Sequence, residues 1–280
     1  MIERMESAVI RVGAAQTPVI GTAAAGGVPV SAQTILSALF HGMGYVAMDR
    51  GGLIFLLDQN IAFLPLDAPP RARAVVHRAR DAGRVLRKAR RDHPQKKLSL
   101  RVNWDLNGVI AALRKHHSSS WITTDLEVVW TQMHRAGTML TFELYWGEEL
   151  IAADVVHLIM RCAYVATRFS SRSNEHRALQ PGFLLAFVAA RALREAGVLL
   201  WSLGGVDQSS AMAYKHEIAV TEPGAVFSAR FRAVRNLGPI MQTVPGENGA
   251  APTQKPVYCP FPLHSVLVED ITDAHVLSFD

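Results

Sequence analysis

The segment from Leu98 to Ala233 constrains the fold most, because its apolar residues switch repeatedly between the two-residue period of strands and the 3.6-residue period of helices. Leu98–Val102 alternates as a strand. Leu106–Lys115 reads as a helix, and Thr124 opens a second one that runs through His134 and ends at Gly137. Leu140–Trp146 and Leu150–Leu158 read as strands joined across Gly147-Glu148-Glu149, with Cys162–Phe169 as a third. A polar loop over 170–180 precedes an apolar helix, Phe183–Ala196, which Gly197 stops. Val198–Leu203 then reads as a buried strand, Ser209–His216 as a short helix and Phe227–Ala233 as a last alternating strand. The order β-α-α-β-β-β-α-β-α-β predicts an α+β fold, one mixed sheet with helices on both faces.

Upstream, residues 1–30 are rich in Ala and Gly and read as an irregular lead-in. Ser31 is placed to cap a helix carrying Ile35, Leu36, Leu39 and Phe40, which Gly42 and Gly44 end. Tyr45–Met48 and Leu53–Leu57 flank Gly51-Gly52 as a hairpin, and Pro65 and Pro69-Pro70 close a small N-terminal α/β subdomain over 31–70. A basic junction helix occupies 71–97, the larger catalytic domain 98–237 and a tail 238–280. The tail is Pro/Gly-rich to about 262 and apolar-acidic beyond, with no role assigned.

At 280 residues the chain can bury roughly 75% of the surface its unfolded form exposes, so it needs neither disulfides nor a metal to fold. Cys162 and Cys259 read as reduced, buried hydrophobes. Glu3, Arg4 and Glu6 stand where a signal peptide needs an apolar core, and no 18-residue apolar run occurs; the expected location is the cytoplasm, with no membrane partner. The net charge of +5 is uneven: Arg71 to Arg101 holds nine arginines and three lysines against two aspartates, leaving the rest of the chain acidic. Arg80, Arg84, Arg87, Lys88, Arg90 and Arg91 are therefore candidates for contact with a phosphate backbone. A solvated helix face is the plain alternative. A membrane-surface helix is a third, with a thin apolar face of Val75, Val76, Val85 and Leu86.

The element order resembles that of the acetyltransferase-like GNAT superfamily. Ordinary members hold acetyl-coenzyme A through a Gly-rich loop; here the corresponding stretch, Ser170 to Gly182, has one glycine with a proline before it, which argues against that cofactor. A closer resemblance comes from Trp121-Ile122-Thr123, Met133-His134-Arg135-Ala136-Gly137, Phe142-Glu143-Leu144-Tyr145-Trp146 and Glu149-Leu150-Ile151. In this order and near this spacing they are similar to the T-W-I-T, L-H-x-x-G, S-x-E-V-W and E-L-V-G-G segments of the leucyl/phenylalanyl-tRNA-protein transferases. The resemblance covers about 98–237 and reaches weakly to Leu39–Met43. It implies a GNAT-like catalytic domain that takes an amino acid from aminoacyl-tRNA, with no cofactor and no metal.

The same resemblance implies site residues. Trp121 falls on the tryptophan that packs against the 3′-terminal adenosine, although a core tryptophan at a helix start would look alike. Gly44-Tyr45-Val46 replaces the family's second tryptophan. Val165–Ser170 falls on G-E-S-M-F-S: Phe169 and Ser170 match, Ala166 stands for the glutamate, and Arg168 lies between them. Leu200-Trp201-Ser202-Leu203 falls on I-D-C-Q, so Trp201 stands for the aspartate. Ala166, Arg168, Phe169, Ser170 and Trp201 are thus expected, with Trp121, to line the substrate cavity. Asp154, on an otherwise apolar strand, and Asp207, after the central strand, are the candidates for the proton relay, with an outward-facing strand residue as the plain alternative for Asp154. His157 reads as a satisfied core histidine; His116-His117 with Ser118–Ser120 reads as a solvated loop, with a phosphate contact as the alternative; Tyr214-Lys215 resembles an aromatic-lysine pair of related cell-wall ligases, with a surface lysine as the plain alternative.

With the family's acidic groups replaced, the expected acceptor is the amine, hydroxylamine or hydroxyl of a small molecule, as in natural-product biosynthesis. Transfer to a protein N-terminus, a tRNA-binding pseudo-transferase and a coenzyme A-dependent acyltransferase stay open beside it.

Overall fold

The computed structural model describes residues 9–12, 17–20, 30–47, 52–56, 58–68, 73–116, 121–206, 212–244 and 252–277. Near the N-terminus β1 (Val9–Val12) and β2 (Thr17–Ile20) pair antiparallel. The Ser31 hydroxyl accepts from the Thr34 amide at 3.1 Å and starts α1 (Ala32–Phe40), whose Ile35, Ala38 and Leu39 are buried. Gly42 at φ +76° turns the chain into β3 (Gly44–Ala47), which pairs with β4 (Leu53–Leu56) as the hairpin pattern predicts. These strands form one sheet in the order β1-β2-β4-β3.

The next strand departs from the expected boundary. β5 (Asn60–Pro65), read with the N-terminal unit, hydrogen-bonds into the large sheet instead. α2 (Arg73–Asp92) buries Val75, Ala79, Ala82, Leu86 and Ala89 and leaves most of its cations outside. There follow β6 (Leu98–Val102), α3 (Leu106–His116), α4 (Thr124–Arg135), β7 (Met139–Trp146), β8 (Glu149–Ile159) and β9 (Cys162–Ser170). The expected polar loop holds one helical turn, α5 (Asn174–Arg177), where the Ser173 hydroxyl accepts from the His176 amide. α6 (Pro181–Glu195) and β10 (Leu200–Gly205) lie where apolarity places them. Of the short helix expected over 209–216, α7 (Lys215–Ile218) forms, shifted toward its end, while 209–211 lie outside the described residues.

Phe227–Ala233 is a correction. It lies within α8 (Gly224–Arg235), which follows β11 (Val220–Pro223), and not in a strand. Phe227 and Phe231 are four residues apart, so a spacing that fits a strand also stacks both rings on one helix face, and both are fully buried. The tail contributes structure too. β12 (Ile240–Val244) pairs with β13 (Thr253–Val257), and β14 (Ser265–Val268) adds an edge to the large sheet against β6.

Among the described residues the large sheet runs β11-β5-β10-β9-β8-β7-β6-β14; β9 and β10 are its parallel pair and the other neighbours are antiparallel. One face packs on α2, α6 and the tail around Phe142, Trp146, Phe187 and Trp201. The other packs on α1, α3, α4 and α8 around Trp130, Phe63 and Phe227. This is the helix-flanked mixed sheet of an α+β protein, as the element order predicts.

Candidate functional site

β9 and β10 run together over only three residue pairs, Leu200 with Cys162, Trp201 with Ala163 and Ser202 with Tyr164, and then part. Each strand is irregular just beyond. On β9 the register against β8 passes from Val165 to Thr167 while the partner advances one residue, so Ala166 is the extra residue of a bulge. On β10 the register against β5 shifts between Ser202 and Gly205, where Gly204 adopts φ +77°, a conformation natural to glycine. A cavity of about 780 Å³ opens at the split, bounded also by the start of α6 and by Tyr214-Lys215.

Of the six residues expected to line the substrate cavity, the wall gathers four: Trp121, Ala166, Arg168 and Ser170. Trp121 is half-buried. Its ring stands edge-on to Tyr45 at 6.0 Å and to Trp130 at 5.7 Å. Behind it the Trp130 Nε1–H donates to the Tyr45 hydroxyl at 2.8 Å, which in turn lies 2.6 Å from His157 Nε2. Burial pushes His157 down to about 3 and Tyr45 well above its ordinary value, so at neutral pH both are uncharged. Tyr45, in the segment that replaces the family's second tryptophan, thus supports Trp121 through a buried polar chain.

The remaining site residues fall elsewhere. Asp154 is fully buried, and its carboxylate accepts from Arg168 Nε at 2.5 Å and Nη2 at 2.6 Å; it is committed to that guanidinium and does not line the cavity. Its expected part in proton transfer therefore gives way to one of holding Arg168. Burial works against the Arg168 charge, but Asp154 outweighs it and raises the pKa above the ordinary value. Trp201 is completely enclosed in the α2–α6 core and is no part of the cavity wall; it shares a face of β10 with Leu203, which does line the cavity, but sits two residues earlier on the strand, under the core side chains. Phe169 packs with the other core, edge-on to His116 at 5.5 Å, and does not face the cavity. Asp207 lies outside the described residues.

Tyr214 and Lys215, the aromatic-lysine pair noted in the sequence, and two arginines that sequence reasoning missed complete the wall. Lys215 is buried, with Nζ donating to the Gly205 carbonyl at 2.6 Å. Tyr214 lies beneath Arg168, 5.5 Å from ring centre to guanidinium, and burial raises its hydroxyl pKa. Arg172 and Arg177, in the polar loop, are exposed at the rim. No aspartate or glutamate is among the described residues that line the cavity; its charged lining residues are Arg168, which Asp154 balances from behind, Arg172, Arg177 and Lys215.

The basic helix is different. Arg84 pairs with Asp81, Arg87 with Asp273, Arg90 with Asp270 at 3.0 Å and Arg91 with Asp92 at 2.9 Å. Of the six candidates for RNA contact on α2, Arg80 and Lys88 are the two exposed cations with no ion pair among the described residues. Glu149, Glu175 and His176 bring potential metal-ligand atoms within 4.8 Å of one another. Lys96 already binds Glu175 at 2.6 Å, and His176 Nδ1 pairs with the Ser171 hydroxyl at 2.8 Å. Glu143, from the S-x-E-V-W resemblance, is a structural carboxylate: buried, it accepts from the Trp104 and Asp105 amides at the approach to α3.

A split mixed sheet with a cationic, aromatic-walled cavity defines the class of site. Residues 78–193 match the leucyl/phenylalanyl-tRNA protein transferase family. A leucyl/phenylalanyl-tRNA–protein transferase of Prosthecochloris aestuarii is 29% identical over 127 residues, covering 43% of this chain and 57% of the relative. The chain thus aligns with somewhat over half of that relative's length. Among solved structures, FemX gives a TM-score of 0.43 at 11% identity, covering 59% of this chain and 60% of that one. The C-terminal domain of a putative lysylphosphatidylglycerol synthetase from Agrobacterium fabrum gives 0.40 at 14% identity, covering 81% and 74%.

Proposed function

We propose that the chain is an aminoacyltransferase that takes its donor from aminoacyl-tRNA and passes the aminoacyl group to a nucleophile on a small molecule. The observation that carries this reading is the cavity at the β9–β10 split, where Trp121, Ala166, Arg168 and Ser170 meet. Its volume, about 780 Å³, suits an aminoacylated nucleoside together with a small acceptor. The donor ester is already activated. The acceptor's lone pair attacks the ester carbonyl, the carbonyl–oxygen bond to the ribose breaks, and the acceptor's proton ends on the ribose hydroxyl. What the protein supplies is position and charge.

Trp121 offers a face on which the terminal adenine stacks. Lys215 brings a positive charge to the wall and Arg168, its charge balanced by Asp154, brings an oriented guanidinium, which together favour the oxyanion of the tetrahedral intermediate. The wall offers no carboxylate to anchor a peptide's ammonium terminus, which supports a small acceptor. Transfer to a protein N-terminus is the second reading, supported by the family match over 78–193. Incubation with charged tRNA and panels of small amines, hydroxylamines and alcohols, beside peptides with free N-termini, tests both. Acceptor-dependent deacylation by small molecules, lost in Trp121→Ala, is expected. Transfer to peptides alone selects the second reading, and no acceptor-dependent deacylation overturns both.

A further inference from the structure

Arg172 and Arg177 are the cavity's exposed cations, and neither has an ion pair among the described residues. Glu175, between them in sequence, is held by Lys96 at 2.6 Å, and Glu149 lies 3.4 Å from His176 Nε2. The 170–180 loop fixes both arginines at one rim, Arg177 on the turn of α5 and Arg172 two residues beyond β9. α6 begins at the same rim with Pro181, so the positive end of its dipole adds to theirs. Inside the rim lie the half-buried indole of Trp121 and the buried Arg168–Asp154 pair, whose charges cancel.

We infer that Arg172 and Arg177 form a phosphate-binding rim that takes the phosphodiesters just before the esterified terminal nucleoside. The inference rests on the aminoacyl-tRNA reading and assigns the RNA's last phosphates to this rim, in preference to the ion-paired cations of α2. Guanidinium forks match phosphate oxygens, and two such contacts carry about 1.4 units of salt slope at ~0.7 per single-strand phosphate.

The probes are puromycin, an aminoacyl-nucleoside mimic without phosphate, its trinucleotide form with cytidines at the 5′ side, and inorganic phosphate. The wild-type chain is expected to bind the trinucleotide more tightly, with a margin that shrinks as salt rises. In Arg172→Ala/Arg177→Ala that margin is expected to fall about tenfold and its salt slope by about 1.4, while puromycin binds as before. A margin unchanged in the double variant overturns the inference and leaves the transferase reading standing. If the variant loses inorganic phosphate binding but keeps the trinucleotide margin, the rim serves a phosphorylated acceptor and the RNA assignment is overturned. Wild-type protein that binds neither nucleoside probe overturns the transferase reading and this inference together. Both side chains are exposed, so the variant's thermal midpoint is expected to match the parent's.

Discussion

Two cationic surfaces, α2 and the cavity at the β9–β10 split, differ in what their charge is free to do. α2 holds the densest run of arginines in the chain, yet Arg84, Arg87, Arg90 and Arg91 each meet an aspartate, two of them supplied by Asp270 and Asp273 of the tail. The cavity holds fewer cations and no opposing acid among its described lining residues. Local charge density in a sequence therefore measures what a helix carries, while the folded chain decides how much of it a polyanion meets.

The sharpest way to break the contrast is to cut the buried ion pair. Asp154→Asn leaves Arg168 with its charge in the interior, and a loss of about 3–5 kcal/mol is expected in denaturant unfolding. Asp154→Leu with Arg168→Met should recover most of that stability while donor turnover stays low. Recovered turnover would show that Arg168 has no part in the site. Next in size, Trp121→Ala should weaken binding of an aminoacyl-adenosine mimic by about 1–3 kcal/mol, read by titration calorimetry. Unchanged affinity would remove the indole from the donor site.

Acid should weaken the Trp121 side of the cavity before it touches α2. His157 is held to about 3 by burial, whereas an unfolded chain protonates its histidines near 6.5. Between those values the unfolded state binds the extra proton, so stability is full above about 6.5 and falls as the pH drops, by up to about 1.4 kcal/mol per unit. Thermal midpoints between pH 7 and 5 should show this decline, and His157→Gln should flatten it. The smallest effect belongs to the tail: Asp270→Asn/Asp273→Asn breaks exposed pairs worth less than about 1 kcal/mol, so stability should barely move. The same double variant should raise tRNA affinity at low salt, since it frees Arg87 and Arg90; a fall would contradict the idea that the tail masks them.

The strands and helices from Leu98 to Leu203 were legible because each buries a periodic apolar face, and that pattern records its burial directly. Phe227–Phe231 was ambiguous, since residues four apart align on a helix and also on a strand. The place of β5 in the large sheet was hidden because its pairing with β10 bridges more than a hundred residues of chain. At the site, motif register pointed to Trp121, Ala166, Arg168 and Ser170, which the fold gathers on one wall. Asp154, Phe169 and Trp201 were misread because alternation along a strand says which residues share a face and not how far along it a cavity reaches: Asp154 lies beside the lining Arg168, and Trp201 shares the face of the lining Leu203, yet both are fully enclosed. Arg172 and Arg177 carried no periodic signal at all. Their prominence comes from where the 170–180 loop sets them down.

The most direct test is a structure determined with a non-hydrolysable aminoacyl-adenosine mimic bound. The account predicts the adenine against the Trp121 indole and the aminoacyl group between β9 and β10, near Arg168 and Lys215. A ligand seated along α2 and the tail, with the β9–β10 cavity empty, would contradict it.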